Sequence, residues 1–194
     1  MWTCSSAAAA SADMSCEKAA AIVERSLDIP QGLLAAISRI ESNNYPLAVN
    51  VNGLGVRFSR PEFAADAVQT MIHSGVMGAR PKVDVGCFQI NLGWHPEAFS
   101  SVEQSFDPLS NGLAAGLFLR KLHAETGDWQ RAVARYHAAS KEGDHYAASV
   151  FRKVEEGMGL LSSGDGQKSF ANHEDWIKTV SAYGITVFEP RDRQ

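Results

Sequence analysis

The sequence predicts a mainly α domain of the α+β kind with one small β-hairpin. Two observations lead there. Successive segments place apolar residues at helical spacing between capping residues, and one stretch, residues 48–58, alternates apolar and polar around Asn52-Gly53. The 194 residues suffice for one domain with a hydrophobic core and are too few for two of typical size.

Taken in order, Ser15 is placed to cap a helix from Cys16 to about Leu27, with Ala19, Ile22, Val23 and Leu27 on one face. Pro30 suits the first turn of a second helix, whose stripe of Leu33, Leu34, Ile37 and Ile40 runs up to Glu41 before Asn43 and Asn44 break it. The Asn52-Gly53 pair is the strongest short hairpin signal in the chain. Pro61 opens a helical stretch through about His73, and residues 75–86 return as a loop to the run GCFQINL at 86–92. Beyond Pro108, Leu109, Leu113, Leu117 and Leu122 predict a helix with one buried face that stops at Gly127. Asp128 can cap the next, which carries Trp129, Ala132, Val133 and Tyr136, and a further helix is expected around 143–156. From Gly157 the composition turns to GMGLLSSGDGQ, read as a linker. The last stretch, with Trp176, Ile177, Val180, Tyr183, Ile185, Val187 and Phe188, is apolar enough to pack back on the domain or bind a partner. The expected organisation is therefore a signal-like remnant at 1–12, a folded domain at 13–156 and a linker with a C-terminal segment at 157–194.

Composition narrows the function. No apolar run approaches the roughly 20 residues that span a bilayer, so no transmembrane segment is expected. A formal charge of −4 offers no basic field for nucleic acid. The histidines are scattered, without HExxH or paired Cys/His spacing, and there is no Walker or dinucleotide glycine loop, so neither a metal nor a cofactor is expected. Three cysteines, Cys4, Cys16 and Cys87, make an odd set. Residues 7–12, AAAASA, end in a small-x-small pattern that a signal peptidase could cut, although a charged n-region and a full apolar stretch are missing upstream. Cleavage after Ala12 would discard Cys4 and leave Cys16 and Cys87 as an even pair in an oxidising compartment, and export to the periplasm is the expectation. The alternative is an Ala-rich start with three buried free thiols.

Glu41 carries the most chemical information. It lies four residues after Ile37, seven after Leu34 and eight after Leu33, in line with the apolar stripe. A carboxyl held there loses water, and desolvation raises its pKa toward the range a general acid needs. The alternative is a helix-end glutamate bent out to solvent.

The strings around Glu41 bear on that choice. Glu41-Ser42 stands as a helix-end "ES"; Gly86-Cys87-Phe88-Gln89-Ile90-Asn91 follows where "GLMQI" plus Asn is usual; Ala134-Arg135-Tyr136-His137-Ala138 follows where "AAYNA" is usual. Phe106-Asp107-Pro108 and Gly127-Asp128-Trp129 lie between the last two strings. In this order, over roughly Ile29 to Phe151, the chain resembles the lytic transglycosylases with the soluble-transglycosylase domain, related in fold to goose-type lysozymes.

The resemblance implies a lysozyme-like fold, peptidoglycan glycan strands as substrate and Glu41 as the catalytic residue, cleaving the MurNAc-β-1,4-GlcNAc bond with formation of 1,6-anhydro-MurNAc. It implies that Gln89 and the backbone from Gly86 through Phe88 and Ile90 to Asn91 line the sugar groove, that Ser42 contacts muramic acid, and that Tyr136 hydrogen-bonds the Glu41 carboxyl. The residues themselves leave Tyr136 two options, since a phenol on an apolar stripe can bond a buried carboxyl or some backbone carbonyl. His137 departs from the usual Asn and either lines the groove, adding pH sensitivity, or points outward. Cys87 departs from the usual Leu and is either disulfide-bonded to Cys16 or a small buried hydrophobe. The GCFQI variant with its Tyr-His pair is similar to an alphaproteobacterial branch, some members of which serve flagellar or secretion assembly. Two competing readings remain. A hydrolytic lysozyme would want a second carboxylate to activate water, for which Asp84 is the best candidate unless it only caps a turn. A scaffold that has lost catalysis would dock its C-terminal segment onto a flagellar or secretion-system protein.

Overall fold

The Ser15 hydroxyl accepts a hydrogen bond from the Lys18 N–H at 3.2 Å and so opens α1, Cys16–Ser26. The structure, a computed structural model, describes residues 14–161, with side chains to 157; the signal-like segment at 1–12 and the apolar C-terminal stretch lie outside the described residues. α2, Leu33–Ser42, has no capping side chain of its own at Gly32. Its free N–H groups are met from α1, where the buried Glu24 carboxylate accepts from Gly32 at 2.8 Å and Ala35 at 3.1 Å. α2 ends because Asn43 and Asn44 both take left-handed backbone (φ 55° and 59°), which asparagine tolerates better than most residues.

The Asn52-Gly53 turn forms as expected, joining β1 (Ala48–Val51) to β2 (Leu54–Arg57). The hairpin belongs to a larger sheet. β3 (Val83–Val85) and β4 (Ile90–Asn91) extend it to a four-stranded antiparallel sheet of order β2-β1-β3-β4. β3 corrects the reading of 75–86 as loop: three residues are too few to show a period, and only pairing with β1 makes them a strand. Side chains alternate between faces. Val49, Val83 and Val85 go inward against Ala64, Ala65 and Val68 of α3 (Pro61–His73) and against Phe106 of a short 3-10 helix, Glu103–Phe106. The cross-strand row Gly55, Asn50, Asp84, Asn91 therefore lies on the opposite, polar face.

The rest is helical. Asp107 caps α4 (Pro108–Thr126) through the Ser110 N–H, and Asp128 caps α5 (Trp129–His137) through the Arg131 N–H, both at 2.8 Å. Leu117 departs from its expected place in the core and is 52% exposed. From its middle onward α4 buries Ala115, Gly116 and Leu119 beside the expected Leu122, with Gly116 packed so closely that a methyl there would meet Val23. α6, Lys141–Leu161, begins earlier than expected and continues through 157–161, which the sequence reads as linker. Two glycines lower helix propensity by about 1 kcal/mol each, a penalty too small to stop a long, already formed helix. α5 and α6 approach so closely that a methyl on Gly143 would lie 2.0 Å from the Ala138 carbonyl. A disulfide joins Cys16 at the start of α1 to Cys87 between β3 and β4. Among the described residues no helix is long and apolar enough to cross a membrane.

Candidate active site

Glu41 occupies the last turn of α2, half-buried, on the wall of a cleft of about 340 Å³. The polar face of the sheet, with Asn50, Gly55 and Arg57, and the side chain of Gln89 line the same cleft. Ile40, which the stripe places with the core, stands 36% exposed at its rim. Burial pushes the Glu41 carboxyl up to about 7, and the negative charge of Asp84 acts in the same direction, while the Tyr146 phenol opposes them. The carbonyl end of α2 also disfavours a negative charge there.

The segment facing Glu41 is built on one buried side chain. Asn111, on α4 and wholly inaccessible, donates to the carbonyls of Val85 and Ser105, each at 3.0 Å, and accepts from the Phe88 N–H at 2.8 Å. Gly86 is required beside it: its φ is +80°, and a methyl there would come within 2.5 Å of the Asn111 amide. Ser42 ties the same segment to α2, donating to the Cys87 carbonyl at 2.8 Å and accepting from the Tyr45 N–H at 3.1 Å. Ser42 lines the Glu41 cleft, although its side chain is buried and its hydroxyl is engaged by these two backbone groups. Phe88 and Ile90 are likewise buried, so only their backbone is available to a groove. Gln89 takes left-handed backbone (φ 50°) and its amide donates to the Gly86 carbonyl at 2.9 Å, which turns the side chain into the Glu41 cleft.

Tyr136 does not donate to the Glu41 carboxyl as the resemblance implied. Its phenol donates to the Phe88 carbonyl at 2.8 Å, the backbone-carbonyl alternative, and its charge-free form is held by burial beside Glu41 and Asp84. The phenol that acts on Glu41 is Tyr146, on α6. Its buried hydroxyl has no hydrogen bond of ordinary geometry, yet it lies near enough to favour ionised Glu41, an incompletely formed hydrogen bond. His137 is exposed and stacks on the Tyr146 ring, with centroids 4.5 Å apart and planes 9° apart. It stands at the edge of the site, where its charge lowers the pKa of Asp84. Asp84 itself is raised by burial, against a 2.7 Å hydrogen bond donated by Asn91.

One carboxyl that keeps its proton near neutrality, above a cleft floored by polar strand residues, suits proton transfer to a bound oxygen. A family model described as transglycosylase SLT domain matches residues 19–156. The chain belongs to this family. No curated protein and no solved structure matches it. Membership makes the fold the mainly α, lysozyme-like SLT fold, and the activity in general terms that of a lytic transglycosylase acting on peptidoglycan.

Within this SLT domain the strings read from the sequence come together: α2 carries Glu41, the β3–β4 connection carries Gln89, and α5 carries Tyr136. The sequence reading passed over Asn111 and Tyr146. Asn111 had a visible signal, a polar residue among the apolar positions that open α4, whereas Tyr146 had none that distinguishes it from a core tyrosine. Among the described residues no group of three or more His, Cys, Asp or Glu could hold a metal ion.

Proposed function

We propose that this SLT domain cleaves the MurNAc-β-1,4-GlcNAc bond of peptidoglycan without water, Glu41 acting first as acid and then as base. Protonated Glu41 gives its proton to the bridging oxygen, the C1–O bond breaks, and the GlcNAc side leaves with a hydroxyl. Positive charge develops on the muramyl C1. Ionised Glu41 then takes the proton of the C6 hydroxyl of the same sugar, whose oxygen bonds to C1 and closes the 1,6-anhydro ring. The observation that carries this reading is the shielded Glu41 carboxyl, raised to about 7, on the wall of an open cleft. Such a group has similar populations of both protonation states near neutrality, as a residue that changes role requires.

Hydrolysis is the second reading, because Asp84 is a carboxylate close enough to act on Glu41 through its charge. The mass of the products separates the two, since hydrolysis adds one water and ring closure adds none. The test is digestion of purified sacculi by the parent and by Glu41→Gln, followed by product mass analysis. Clearing by Glu41→Gln at the parent rate defeats both readings that rest on Glu41, whereas a parent that binds sacculi without clearing them favours a binding scaffold. The proposed compartment is the periplasm, supported by the Cys16–Cys87 bond, which persists in oxidising surroundings.

A further inference from the structure

The polar face of the sheet continues beyond the Glu41 cleft. Asn50 lines that cleft and pairs directly with Asp84 on β3, which pairs with Asn91 on β4. Asp84 and Asn91 line a second cleft, of about 380 Å³, together with Lys82 and Trp94. At about 4.8 Å between strands, the row from Gly55 to Asn91 extends roughly 14 Å across the sheet, more than one sugar ring. The two clefts are thus successive stations along one polar floor.

The far station has an unusual make-up. Trp94 is 63% exposed, which leaves a large part of its indole open to a ligand. The Asn91 side chain accepts from the Trp94 backbone N–H at 3.0 Å, which fixes the chain there, and the Arg80 guanidinium lies 4.7 Å from the ring centroid, over one face of the indole. The exposed remainder of the indole is a platform for the C–H face of a sugar. Neither Arg80 nor Lys82 has a carboxylate partner among the described residues, in a chain whose formal charge is −4. Two unneutralised cations, one of them stacked on a largely exposed aromatic ring, fit a ligand that is part saccharide and part anion.

We propose that Trp94, Arg80 and Lys82 form a subsite for a muramyl residue that still carries its stem peptide, the indole meeting the sugar and the two cations meeting the peptide carboxylates. The subsite rests on the glycan-cleaving reading, and it adds a preference for peptide-bearing strands over bare glycan. Asp84, which lines the same cleft, accepts from the Asn91 amide at 2.7 Å.

The experiment compares kcat/KM on sacculi with that on the same glycan stripped of peptides by an amidase, for the parent, Lys82→Gln and Arg80→Gln/Lys82→Gln. The parent is expected to prefer peptide-bearing strands by about tenfold at low salt, the size of two exposed charge contacts, and to lose the preference as salt screens them. The double variant brings the ratio close to one, with Lys82→Gln between. A parent ratio of one, or a ratio the double variant leaves unchanged, overturns the subsite. The same comparison is made by calorimetric binding of a soluble peptide-bearing muropeptide and its peptide-free counterpart to Glu41→Gln. A parent that cleaves neither substrate while charge-dependent binding is retained would count against the catalytic reading alone; cleavage by the parent without peptide preference would count against the subsite alone.

Discussion

Glu41→Gln should stabilise the protein, and by an amount that depends on pH. In the folded chain the carboxyl is raised from 4.5 to about 7, mainly by loss of water. Between those values the native state keeps a proton that the unfolded chain has released, so stability falls as pH rises through this window and levels off above about 7. The distance from 4.5 to about 7, at about 1.4 kcal/mol for each pH unit, comes to about 3 kcal/mol. Glutamine does not titrate and keeps much the same shape. The variant should therefore match the parent near pH ~4 and gain on it by up to about 3 kcal/mol near pH ~8. Urea melts of both proteins across this range measure the difference directly, with the slope on denaturant checked for constancy. A gap that stays constant from acid to alkaline pH would refute the claim that Glu41 is shielded. The parent's cleavage rate should fall about tenfold per pH unit above about 7, as the acid form disappears.

Other outcomes follow from the same contacts. Asp84→Asn removes a charge that raises Glu41, so the alkaline limb of the pH–rate profile should move to lower pH; Tyr146→Phe removes a phenol that lowers it, so the limb should move to higher pH. Shifts in the same direction would contradict this arrangement. Asn111→Ala strands the Phe88 N–H and the Val85 and Ser105 carbonyls, at about 1–3 kcal/mol each, and the urea midpoint should drop accordingly. Reduction of the Cys16–Cys87 bond releases a loop spanning a sequence separation of 71, worth about 4 kcal/mol, read as the difference in unfolding free energy with and without reductant. A midpoint indifferent to reductant would mean that the bond does not constrain the unfolded chain.

Much of the site was legible in the chain because its signals are local. Glu41 could be placed on an apolar stripe from spacing alone, since the helical period is a property of adjacent turns. The caps at Ser15 and Asp128, and the turn at Asn52-Gly53, are likewise decided within a few residues. β3 escaped because it is a strand only through its partners. The partner of Tyr136 escaped for a related reason: a hydroxyl takes whichever acceptor the tertiary packing brings nearest, and for this phenol that was the Phe88 carbonyl.

By itself the sequence determined the helical class, the hairpin, the order of the motifs and the residue that could hold a proton, all set by short-range sterics and periodic burial. Tertiary structure alone decided which tyrosine acts on that carboxyl, that Asn111 supports the facing segment, that Cys16 meets Cys87, and that Trp94 shares a polar floor with Asp84. These are meetings between segments far apart in the chain. Their energies depend on distance and on excluded water, and neither exists until the core has closed.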